Sequence, residues 1–175
     1  MANIDAPIGL WPVRHLTGGE IRANEYIVTT GATIYQGDLL KVVAAGTVEP
    51  SAANDGVIVI GVAAEYVSDS ASAAGKKIRV YDDPYIVFGV QMDDAGVITS
   101  SAADVFATAN HLAGSGSATT YLSGHELDES DIGTGGQLRI LGLCNTRDAN
   151  NAWGDHADVE VQIAEHIFNA AVAGV

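Results

Sequence analysis

Gly56-Val57-Ile58-Val59-Ile60-Gly61-Val62-Ala63-Ala64-Glu65-Tyr66-Val67 is the stretch on which the fold class turns. Short runs of valine and isoleucine bounded by Gly, Asn and Asp read as β-strands. This run lacks the apolar–polar alternation of a strand with one wet face, so it predicts a strand covered on both faces.

Shorter strands extend outward from it. Tyr26–Thr29, Leu39–Val43 and Val48–Pro50 precede it, separated by the turns at Gly37-Asp38 and Gly46-Thr47. After it, Lys77-Ile78-Arg79-Val80-Tyr81 alternates, with Ile78 and Val80 on one face. Ile86, Phe88, Val90 and Met92 mark one face of the next strand, and Asp93–Gly96 turns the chain into Val97-Ile98-Thr99. Gln137–Cys144 and Asp158–Ile163 close the series, the latter with Val159, Val161 and Ile163 facing in and its acids facing out. Short strands at near-regular spacing, without a fixed-period repeat, predict a single-domain, all-β barrel or sandwich.

Three segments stand apart from this pattern. Residues 1–19 contain Pro7 and Pro12 and no clean apolar period, which predicts an extended N-terminal arm. Its Ile8, Leu10, Trp11 and Val13 are costly to leave in water and should pack on the body, residues 20–168, or on another subunit. Residues 100–136 are rich in Ala, Ser, Thr and Gly and read as a loop-rich insertion with short helices. Val105, Phe106, Ala109 and Leu112 suggest a loose helical face, and Ser123-Gly124-His125-Glu126 matches a capping box that places a helix at Glu126–Ser130. Residues 169–175 read as a frayed tail.

The charge narrows the function classes. The chain has 175 residues, with 8 Lys and Arg against 22 Asp and Glu, giving a formal net charge of −14. The imbalance lies almost wholly in residues 82–175, which hold two cations against fourteen anions. Nucleic-acid binding draws on clustered Lys and Arg, so no nucleic-acid partner is expected, and an anionic membrane is disfavoured by the same field. A partner with basic patches stays open, and the acid also keeps an apolar chain soluble. Met1-Ala2-Asn3-Ile4-Asp5 is neither a basic leader nor part of a signal-length apolar core, so a cytosol-like compartment is expected.

No grouping carries the spacing of a catalytic or metal site. Cys144 is the only cysteine; it lies in an apolar strand and reads as a small core residue. Asp155-His156-Ala157-Asp158 with Glu165-His166 is the densest His and acid cluster, but it fits no zinc pattern and reads as a solvated strand edge. Asp82-Asp83, Asp93-Asp94 and Asp128-Glu129 read as turn chemistry, since neighbours on a strand point to opposite faces. No Gly-x-Ser-x-Gly elbow occurs, and Gly114-Ser115-Gly116 lacks the third glycine of a dinucleotide loop and reads as a flexible loop. No catalytic residue, metal or cofactor is therefore expected.

One constellation does carry a resemblance. Pro12–Gly19, Gly37-Asp38-Leu39-Leu40, Gly46-Thr47-Val48-Glu49-Pro50 and Ile60-Gly61-Val62-Ala63 are followed by Val80-Tyr81-Asp82-Asp83-Pro84, Leu138–Leu143 and Val159–His166. In this order they resemble the small head-decoration, or cement, proteins of tailed bacteriophages. The resemblance implies a β-barrel body, with residues 102–136 as an insertion. It further implies a non-enzymatic homotrimer that binds the major capsid protein on the outer surface of the virion, after assembly in the host bacterial cytoplasm. Ile8, Leu10, Trp11, Val13 and Arg14 are then the expected capsid or subunit contacts, and removal of residues 1–14 should leave the body folded. Two rivals stand beside this reading. One is another virion component, a neck or tail protein. The other is an enzyme or small-ligand-binding barrel, which His111, His125 and an acid converging in one pocket would favour.

Overall fold

The structure, a computed structural model, describes residues 3–53, 57–68, 75–94, 100–133 and 135–169. The expected Val97–Thr99 strand, the Asn54–Gly56 turn, part of the Asp93–Gly96 turn and nearly all of the tail lie outside them. The chain is mostly β. In order the strands are β1 (Trp11–His15), β2 (Asn24–Ile27), β3 (Thr33–Ile34), β4 (Leu39–Val42), β5 (Val48–Pro50), β6 (Val59–Ala63) and β7 (Val67–Ser68). They continue as β8 (Lys77–Tyr81), β9 (Ile86–Gln91), β10 (Thr108–Ala109), β11 (His111–Leu112), β12 (Glu126–Leu127), β13 (Leu138–Leu143) and β14 (Asp158–Ile163).

Two antiparallel five-stranded sheets dominate. The first has the order β1-β9-β14-β13-β10 and the second β2-β8-β6-β4-β5. A parallel bridge between Val28 and Val48 joins the two ends of the second sheet. Strand β6 is buried at every position, as its unbroken apolar sequence requires.

Its side chains divide between two cores. Val59 and Val62, with Leu39 of β4, pack with Phe88, Val90, Ile140, Val159 and Val161 of the first sheet. Ile60 and Ala63, with Leu40, pack instead with Val28, Ile34, Val48, Ile78 and Val80. Gly61 sits where β6 meets β8. A Cβ there would lie 2.1 Å from the Tyr81 carbonyl oxygen, so only glycine permits the approach.

The N-terminal segment is extended, but it is no free arm. Trp11–His15 pairs with β9, and Leu10, 2% exposed, belongs to the larger core. The Trp11 ring lies across Gly89, donates Nε1–H to Thr146 and carries Arg147 over its face at 4.9 Å. Removing residues 1–14 would unpair the β9 edge and empty the Leu10 site. Such a truncation is therefore expected to destabilise the body, where the sequence alone led to the expectation of an intact one.

The insertion differs most from expectation. No helix forms at Glu126–Ser130: Glu126 and Leu127 pair with Leu112 and His111, and a 3-10 turn at Glu129–Asp131 follows with Asp128 as its cap. The Ser123 hydroxyl accepts from the His125 N–H rather than from Glu126. A capping box does occur at Ser101 and Asp104, on the 3-10 turn Ala102–Asp104. The loose helical face dissolves, since Ala109 and Leu112 lie in separate short strands and Phe106 is 73% exposed at φ +75°. Among the described residues no helix is long and apolar enough to cross a membrane.

Because Leu39 and Leu40 are both fully buried, in different cores, truncating either should be costly. Leu39→Ala and Leu40→Ala should each lower unfolding free energy by about 2–5 kcal/mol in urea titrations. A strand with one wet face would instead show one large and one small loss.

Candidate functional site

The most site-like place lies where the insertion crosses the start of β4. A cleft of about 310 Å³ is lined by Tyr35, Asp38, Ser51, Gly114, Gly116 and His125 among others. The glycines serve close approach rather than looseness, which corrects the flexible-loop reading: a Cβ on Gly114 would fall 1.8 Å from the Gly124 carbonyl oxygen. Tyr35, Tyr66 and Tyr121 form an aromatic row beside it, with ring centroids 5.3 and 4.5 Å apart.

His125 and Asp38 are nearly fully buried in the cleft floor. His125 Nδ1 accepts the Leu39 N–H at 3.2 Å, which leaves its proton on Nε2, 3.5 Å from Asp38 Oδ1. Burial first, and then the neighbouring His111, bring the His125 pKa down to about 3. Asp38 is pushed up to about 6 by burial, against hydrogen bonds from Ser123 and the Tyr35 N–H. With burial holding the imidazole's pKa down and the carboxyl's up, the contact is not an ion pair near neutrality. Near neutrality it is a neutral imidazole facing a carboxylate.

His111 stacks on His125 with centroids 5.0 Å apart but does not line the cleft. Its ring nitrogens face two acceptors, Gln137 Oε1 at 2.6 Å and the Ser51 carbonyl at 3.1 Å, of which a neutral ring donates to one. Gln137 in turn donates to the Val57 carbonyl. The two histidines and an acid do converge, therefore, but their polar atoms are taken up by the protein. No lone pair is left on His125 to act as a general base.

The other expected groupings break up. Asp83 accepts from the Tyr85 N–H and Asp128 from the Ser130 N–H, as turn chemistry requires. Asp82 and Glu129 depart from that reading, since both are buried. Asp82 takes the Tyr26 hydroxyl at 2.5 Å and the Asn24 amide, while Glu129 takes the Ser100 N–H. Asp158 is buried as well, reached by Arg147 at 3.5 Å, so not every acid of β14 faces out. The proposed solvated strand edge around residues 155–166 is likewise mixed. His166 is fully buried beside Val59, while His156 turns towards Asp5 and Glu126. Residues so far apart in sequence leave no spacing signal.

Of the five expected contact residues, Leu10 is excluded by its place in the core. Trp11 and Arg14 are engaged on their own sheet, Arg14 with Glu160 at 2.7 Å, though the Arg14 side chain keeps nearly half its surface exposed. Ile8 and Val13 are half-buried. Large apolar side chains are instead exposed elsewhere: Leu16, Tyr85 and Phe168 are 42, 52 and 57% exposed. They are close together, for Leu16 N–H donates to the Tyr85 carbonyl and Tyr85 and Phe168 line the same two surface clefts. Sequence reading missed them because each belongs to a different strand end.

No protein-family model matches the chain, and no curated protein matches it.

The floor of the cleft sets a pH dependence. His125, with its folded pKa depressed from 6.5, stabilises the fold above 6.5, and that contribution is lost as pH falls towards 3. Asp38, with its pKa raised from 3.8, acts oppositely: its contribution is present below 3.8 and lost as pH rises through 6. At about 1.4 kcal/mol per pKa unit, the histidine outweighs the acid over the full range. In His125→Asn, which keeps an acceptor for the Leu39 N–H, only the Asp38 trend remains. Urea unfolding from pH 7 to pH 3.5 should show the variant gaining stability relative to the native chain by a few kcal/mol as pH falls. A constant difference would mean that His125 is not held neutral.

Proposed function

We propose that this chain is a structural virion protein that binds the outer surface of a bacteriophage capsid and stabilises it by bridging capsomers. The second sheet, joined end to end through Val28 and Val48, is then a small β-barrel, with the first sheet packed on its outside. The segments that carry the resemblance to phage decoration proteins are the framework of that body. Leu39-Leu40, Val48–Pro50, Ile60–Ala63, Leu138–Leu143 and Val159–Ile163 form strands of the two sheets.

The observation that carries the reading is the exposed Leu16–Tyr85–Phe168 patch on a body whose most site-like polar cluster is internally satisfied. Exposed apolar side chains gathered on one part of an acidic protein suit attachment to another protein. Its neighbours Glu20, Arg22 and Asp83 supply a polar rim. Many modest contacts repeated by symmetry make a firm lattice attachment without one large interface. The corresponding assembly is a homotrimer on the major capsid protein. A neck or tail protein would use the same body in a different ring.

The cleft supports a second reading, a small-ligand-binding barrel, because Asp38 and His125 line it beside the tyrosine row. Their saturated hydrogen bonds rank it below the structural role.

Electron cryo-microscopy of the particle tests the first reading: density for this chain should lie on the outer capsid surface, and density confined to the neck or tail would overturn it. In solution, Tyr85→Ser with Phe168→Ser should leave the circular dichroism spectrum and thermal unfolding near native while weakening trimerisation or capsid co-sedimentation. Unchanged assembly and attachment in this double variant would remove the patch from the interface.

A further inference from the structure

The carboxylates of Asp5 and Glu126 and a ring nitrogen of His156 lie within 4.8 Å of one another. Three distant parts of the chain deliver them. Asp5 lies on the N-terminal segment, between Ile4, whose carbonyl accepts from Gln91 Nε2 at 3.0 Å, and Ala6, whose N–H donates to Gln91 Oε1 at 2.8 Å. The same Gln91 amide donates to the His156 carbonyl at 3.1 Å, so one side chain sets two of the three segments. Glu126 is fixed by the pairing of β12 with β11.

Among the described residues the chemistry of the group is not satisfied. His156 Nδ1 is enclosed and makes no hydrogen bond, and an enclosed polar atom without a partner is costly. Neither the Asp5 nor the Glu126 carboxylate has a hydrogen bond or ion pair with a described residue. Glu126 is half-buried.

We propose that Asp5, Glu126 and His156 form a binding site for a divalent transition-metal ion of the Zn²⁺ or Mn²⁺ class, which fastens the N-terminal segment to the insertion and to the turn before β14. One imidazole nitrogen with two carboxylates is a mixed donor set that suits these ions, whereas Ca²⁺ takes oxygen ligands alone. Metal–ligand bonds of about 2.0–2.2 Å put tetrahedral ligand atoms about 3.4 Å apart, a closure that rotation of the exposed Asp5 can help supply. Water completes the coordination. This site is independent of the capsid reading, and its test uses the isolated protein.

The full chain, stripped with EDTA and dialysed, is titrated calorimetrically with ZnCl₂ and MnCl₂ while thermal unfolding is followed in parallel. At least one of the two metals should bind as one saturable equivalent and raise the melting temperature by several degrees, and EDTA should reverse the shift. Asp5→Asn, on an exposed position, should keep the fold and weaken metal binding about tenfold or more. His156→Asn, which tolerates the left-handed backbone at φ +57°, should abolish it. His15→Gln, which removes the separate His15–Asp83 pair, should leave binding unchanged. No saturable binding of either metal, binding that survives both Asp5→Asn and His156→Asn, or binding lost with His15→Gln would each overturn the proposal.

Discussion

The structure depends on the burial of β4 and β6 on both faces. Leu39, Val59 and Val62 supply one core, while Leu40, Ile60 and Ala63 supply the other, so these two strands hold the sheets together without an intervening layer. Alternate residues on a strand point to opposite faces, but β6 breaks this alternation where Gly61 pairs with Leu40 and Val59 with Lys41, which leaves Ile60 as an extra residue and lets Val59 and Val62 share one core while Ile60 and Ala63 share the other. Gly61 is the corollary: at the β6–β8 contact the Tyr81 carbonyl comes so close that no side chain fits. The N-terminal strand adds to this framework through Leu10 and the pairing with β9, which is why the arm cannot be detached from the body as a separate part.

Buried polar groups follow from the same compactness. The insertion places Ala109 and Leu127 in the larger core with Leu39 and also docks on β4 through hydrogen bonds around His111, His125, Asp38 and Gln137. Each of them is partnered, as burial demands. The result keeps His125 neutral and leaves Asp38 ionising near neutrality, so the cleft is a pH-sensitive joint. The Asp5, Glu126 and His156 group is the contrasting case, in which partners among the described residues are missing.

Much of the strand framework was legible in the residues. The expected strand at Lys77–Tyr81 matches β8, and the Asp158–Ile163 reading matches β14, because a repeat of two in hydrophobicity is a local property. Cys144 is buried as its apolar setting implied. The insertion was misread because Ser123 and Glu126 carry the letters of a capping box, and pairing with His111 and Leu112 overrode that local preference. Phe106 and Leu112 likewise met the spacing of a helical face but belong to a turn and a separate strand.

The sequence by itself determined that the chain is β-rich, acidic and without a local catalytic motif, since these depend on composition and on neighbours a few residues apart. It also implied the double burial of β6, because an unalternating apolar strand can be stable only between two layers. Tertiary structure alone decided which acids are buried, that Trp11–His15 is a paired strand, and that Leu16, Tyr85 and Phe168 share one patch. It alone joined Asp5, Glu126 and His156. These are meetings of residues far apart along the chain, and only the closing of sheets and loops in three dimensions sets such distances.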